Sequence, residues 1–134
     1  MNMSIPLRPL AVVFSVACAM LSMTPPAGAH HSFDAEYDSK KPFTVTGFVT
    51  KVDWVNPHAF VSVDVKDGTA VKNYRIEMGP PYALVRGGWK RDTLKIGDKV
   101  TIVNAAAAKD GSNAGGSMPT TAMVLADGQK LTMR

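Results

Sequence analysis

The sequence is poor in the residues that most often carry chemistry. It has one cysteine, Cys18, and three histidines, His30, His31 and His58, among 134 residues, and aromatic side chains make up only 7%. With a single thiol no intrachain disulfide can form, so stability has to come from packed apolar surface. The Gly-x-Ser-x-Gly elbow, the phosphate loop and the Cys-x-x-Cys pair are missing too. Their absence removes the parts that familiar hydrolase, kinase and thioredoxin-like mechanisms need, and leaves catalysis without sequence support. Blocks of one charge are also lacking. The longest basic pairs are Lys40-Lys41 and Lys90-Arg91, interleaved with acids, so there is no polyanion footprint and nucleic acid is not an expected partner.

What is present begins with an export pattern. Arg8 supplies a positive start, residues 10–23 form an apolar run, and Ala27-Gly28-Ala29 satisfies the small-x-small rule for signal peptidase. The run is shorter than the ~20 residues that span a bilayer and it ends at Thr24-Pro25-Pro26, which argues against a stable membrane span after processing. The expected layout is a signal peptide over 1–29, a polar arm over 30–41 and a single domain over 42–134, in the periplasm or secreted. A rival reading makes Cys18 a lipid-attachment site, but Ser15 stands where a Leu-like residue is usual. Past Ala29 the balance is mild, with 14 Lys and Arg against 11 Asp and Glu.

The domain reads as strands. Phe43 and Val45 share one parity while Phe48, Val52 and Trp54 share the other, with Gly47 at the switch, as a bent first strand requires. Val61, Val63 and Val65 then alternate with polar neighbours, and Asp67-Gly68 signals a hairpin into Tyr74, Ile76 and Met78. Prolines at 80 and 81 and glycines at 87 and 88 bracket a short helix, with Trp89 closing one end of the core. A fourth strand starts near Val100, residues 109–117 read as a glycine-rich loop, residues 118–126 as a fifth strand, and residues 130–133 as a short return strand. The order fits an all-β, OB-fold-like five-stranded barrel with one short helix between strands 3 and 4.

Ala29-His30-His31-Ser32-Phe33, then Gly47 with Trp54-Val55-Asn56-Pro57-His58-Ala59, then Arg86-Gly87-Gly88-Trp89 and Lys109-Asp110-Gly111-Ser112, occur in this order. In them the chain resembles domain-of-unknown-function family 6152, small exported proteobacterial proteins of uncharacterised function. The resemblance implies an exported single domain of barrel type and no activity.

The chemistry rests on the histidines. Cleavage after Ala29 would leave His30 as the first residue, whose amine and imidazole chelate one ion, and a second imidazole would complete a brace. Amine and imidazole nitrogens in a tetragonal set suit Cu(II), with Zn(II) and Ni(II) as competitors, so copper is the expected cofactor. His58, beside a proline turn on the polar face, is the preferred second imidazole, and His31 is a further candidate. Asp34, Glu36 or Asp38 would add a carboxylate oxygen or orient an imidazole from behind. Met78, Met118, Met123 and Met133 are scattered at strand-period positions and read as packing.

The plain alternative is that His30 and His31 begin a loose tail and His58 caps a turn. The chain would then be a metal-free periplasmic OB-like module. Its face, formed by Trp54, Asn56, Phe60 and Tyr74, would take a small molecule or a partner protein, although Trp54 and Trp89 also read as core aromatics. Mass spectrometry of the exported protein should find His30 at the amino terminus; a lipidated Cys18, or an intact residue 29, would overturn the processing scheme.

Overall fold

The computed structural model describes residues 32–134. The expected signal peptide and the pair His30 and His31 lie outside the described residues. A one-turn helix, α1 (Phe33–Glu36), leads into β1 (Tyr37–Asp53), followed by β2 (Phe60–Asp67), β3 (Ala70–Glu77), α2 (Pro81–Arg86), β4 (Lys99–Ala108), β5 (Ala114–Val124) and β6 (Lys130–Thr132). Strands predominate, as the alternation in the sequence requires.

Pairing runs β3-β2-β1-β4-β5-β6, and β3 also pairs with β5. All contacts between neighbours are antiparallel except this last one, where Arg75, Ile76 and Glu77 lie parallel to Ala114, Gly115 and Gly116. Pairing therefore returns to its start, and each of the five strands β1 to β5 has partners on both sides, with β6 added on β5. β1 makes this possible by serving two neighbours, β4 over Tyr37 to Phe48 and β2 over Phe48 to Asp53. Register shifts at Asp38/Pro42, Phe43/Val45 and Val49/Lys51 bend it between them.

One shift corrects the expected phase change. Val49 is buried and Phe48 is 48% exposed, so the inward parity persists past Gly47 and changes at Thr50, where the register slips against β2. Gly47 serves a different purpose. A Cβ there would run into the carbonyl of Asp64, so the glycine permits close approach of β2.

Two more boundaries move. β1 starts at Tyr37, not at Pro42, because the Tyr37 side chain is buried and residues 37 and 38 pair with Ala108 and Ala107. The polar arm expected over 30–41 thus gives its second half to the sheet. Ala114 to Ser117, expected in a loop, belong to β5. Glycines at 115 and 116 mimic a loop in the sequence, yet here they leave room for the rings of Phe43 and Tyr37, packed where side chains would stand.

The core lies inside the circuit, where Val49, Val61, Val63, Ile76, Val100, Ile102 and Met123 are almost fully buried. α2 begins on prolines, which need no helical donor at that position, and puts Leu84 into the core beside Trp89 and Met133. Trp89 is 1% exposed and its indole Nε1 donates to the Thr132 carbonyl at 2.6 Å, which ties the helix loop to β6. Trp89→Ala should cost about 3–5 kcal/mol by combining lost burial with a cavity, read as a lowered urea midpoint.

Candidate functional site

His58 stands just before β2, after the cis Asn56–Pro57 bond. Its neighbour Ala59 is completely buried and clamped to the far end of β3: Met78 N donates to Ala59 O at 2.8 Å, and Ala59 N to Gly79 O at 3.2 Å. The clamp sets the direction of the preceding side chain. His58 Nδ1 meets Glu77 Oε1 at 2.5 Å, with the imidazole 42% exposed and the carboxylate 17%. Glu77 faces outward on β3 opposite Phe60, as the alternation of Asn73, Arg75 and Glu77 requires.

The second carboxylate oxygen is taken as well. Tyr37 OH donates to Glu77 Oε2 at 2.8 Å from the start of β1. Tyr37 pairs with β4, and β5 runs between β4 and β3, so the ring has to pass over β5 to reach Glu77. Gly116 leaves that path open. A Cβ at 116 would stand 2.5 Å from Tyr37 Cδ2 and 2.6 Å from Phe33 Cε2. The Phe33 ring lies 5.1 Å from that of Tyr37, and the Arg134 guanidinium lies 5.3 Å over Phe33. Arg134 Nη1 donates to Ser117 O at 3.2 Å, and Ser117 Oγ donates to Glu77 O at 2.6 Å. Four segments that are far apart in sequence, at residues 33–37, 58, 116–117 and 134, therefore converge around Glu77.

This environment acts on the Tyr37 phenol. Burial is the largest influence, followed by the hydrogen bond to Glu77, and both push its pKa well above the ordinary 10.0. A phenol donating to a carboxylate is held in its neutral form, because ionisation would leave two negative groups facing each other.

The structure sorts the residues singled out in the sequence. His58 sits at this site, while His30 and His31 lie outside the described residues. Asp38 accepts from Lys40 N at 3.0 Å, and the backbone carbonyls of Asp34 and Glu36 accept from Lys109. The carboxylate that meets His58 is that of Glu77. Its signal was the alternation on β3 that put it on the polar side, but no local pattern pairs it with His58 across the β2–β3 hairpin. Trp54 and Tyr74 pack against the core, Tyr74 with its ring 5.7 Å from that of Phe43. Asn56 is exposed. Phe60 faces outward with the Arg75 guanidinium 3.8 Å above its ring, and Arg75 reaches Asp53 at 3.6 Å. The surface expected from these four residues is thus divided between core and exterior, because Trp54 and Tyr74 have inward parity.

Met78, Met123 and Met133 are buried in the core, which suits packing. Among the described residues no group of three or more His, Cys, Asp or Glu side chains is placed to hold a metal ion, and His58 is the one histidine among them. No described helix is long and apolar enough to cross a membrane.

In comparison with known proteins, the model of a family of unknown function matches residues 17–117. No curated protein and no solved structure matches the chain.

The raised Tyr37 pKa has a definite sign for stability. Below pH 10.0 the phenol is neutral in both folded and unfolded chains, and its contribution is fully present. Above that pH the unfolded chain ionises first, so stability falls as pH rises toward the folded value. An ultraviolet phenolate titration should show one late-ionising tyrosine. Tyr37→Phe should abolish it and flatten the alkaline loss of stability.

Proposed function

The chain belongs to the family of unknown function DUF6152, and on that premise we propose that it is an exported binding module holding a divalent metal, copper first, through His58 and the N-terminal pair His30 and His31. The observation that carries this reading is the condition of His58. Its Nδ1 is committed to Glu77 while the ring remains 42% exposed, so Nε2 is the nitrogen left to meet an incoming ion. An imidazole backed by a carboxylate through its other nitrogen is the usual arrangement of a metal-ligating histidine, where the carboxylate fixes the ring and raises its basicity.

The remaining ligands come from the processed terminus. His30 with a free amine would supply two nitrogens in one chelate ring, and Nε2 of His58 a third, a set that suits Cu(II) over harder ions. Sequence order favours this: His31 and His30 precede Phe33 by two and three residues. Phe33 in turn rests on Tyr37, whose hydroxyl holds Glu77. The closed circuit of β1 to β5, with α2 between β3 and β4, supports the finer reading of the fold as an OB-type barrel. Export rests on the apolar run and on Ala27-Gly28-Ala29.

A second reading, a metal-free module for a small molecule or a periplasmic partner protein, draws on Phe60, whose ring lies on the outward side under Arg75. The two separate in one experiment. Copper titrated into protein with a native His30 amine should bind one ion per chain, and His58→Ala should weaken it at least about tenfold. Residues added before His30 should weaken it too. Absence of tight binding, or an unaffected His58→Ala variant, would remove the metal reading.

A further inference from the structure

We propose that Glu77 is the positioning residue of this site: it locks His58 in the tautomer with hydrogen on Nδ1, so that Nε2 is presented as the ligand nitrogen, and Tyr37 locks Glu77 in turn. The use of this lock rests on the metal reading above; the evidence for it is geometric. A neutral imidazole carries one hydrogen, and the nitrogen facing a carboxylate oxygen at 2.5 Å must carry it. The carboxylate cannot turn away, because its other oxygen accepts from Tyr37 at 2.8 Å. Its backbone is equally fixed. Ser117 Oγ donates to Glu77 O, and Glu77 is paired with Phe60 on β2 and with Gly116 on β5. Only 17% of the side chain is exposed, so few waters compete for either oxygen.

Substituting glutamine exposes the logic. A glutamine has one acceptor and one donor end. Tyr37 OH needs the acceptor, since its hydrogen would otherwise be buried without a partner. The amide NH2 then faces His58 Nδ1, which becomes an acceptor, and the ring hydrogen moves to Nε2. The ligand nitrogen is capped without removing any ring or opening a cavity.

The test uses the full mature chain labelled with 15N and free of metal. At mildly alkaline pH, long-range 1H–15N NMR reads the His58 tautomer, and copper alone is the binding probe. Wild type should show hydrogen on Nδ1. Glu77→Gln should show it on Nε2, with copper affinity reduced about ten- to hundredfold. Tyr37→Phe, which frees one carboxylate oxygen, should give a mixture and a smaller loss, and it keeps the test decisive if Glu77→Gln fails to fold. Hydrogen on Nε2 in wild type, or an unchanged tautomer in every folded variant, would overturn the proposal. Copper failing to bind wild type while the tautomers behave as expected would instead remove the metal reading and leave the lock standing.

Discussion

Three residue pairs hold the architecture closed. Arg75, Ile76 and Glu77 lie parallel to Ala114, Gly115 and Gly116, and without them β3 and β5 would each keep an open edge. Parallel pairing of short segments is weak in itself. It persists here because Ile76 is completely buried on the inner side, while the outer side fastens through Ser117 and Glu77. The closure that completes the core is also what places Glu77 beside Gly116, in reach of a phenol from the opposite end of the chain. Fold and site share one join.

Much of the fold was legible because period-2 alternation is a strong local signal. The valines at 61, 63 and 65, the hairpin at Asp67-Gly68 and the proline-bracketed helix before Trp89 all appear as the alternation and the turn chemistry require. The failures share a physical cause. Phe48 was expected inward because a glycine looked like the natural place for a bulge, whereas the slip occurs one turn of the pleat later, at Thr50, which has no distinctive side chain. Residues 114–117 were expected in a loop because two adjacent glycines look like flexibility; what they supply is empty volume filled by rings from residues 37 and 43. Volume borrowed by a distant side chain leaves no trace in local periodicity.

The site was legible to the same limited degree. A histidine beside a proline turn on a polar face could be picked out, and its exposed position near a strand start follows from that. Its carboxylate partner could not, since Glu77 lies nineteen residues on, at the C-terminal end of the β2–β3 hairpin, and the acidic run at 34–38 stands at a similar separation on the other side. Tyr37 falls in the expected polar arm because its neighbours Asp38, Ser39, Lys40 and Lys41 are polar. One buried aromatic in a polar stretch is enough to draw that stretch into the sheet when a bare strand lies opposite.

Gly116 has a consequence for the order of assembly. The rings of Phe33 and Tyr37 occupy the space that a side chain at 116 would fill, and that space exists only once β5 lies between β3 and β4. The seat of residues 33 and 37 is therefore completed by a strand some eighty residues further along the chain. Phe33, Tyr37 and position 116 also draw on a single shared volume, so a side chain gained at 116 has to be answered by a smaller ring at 33 or 37.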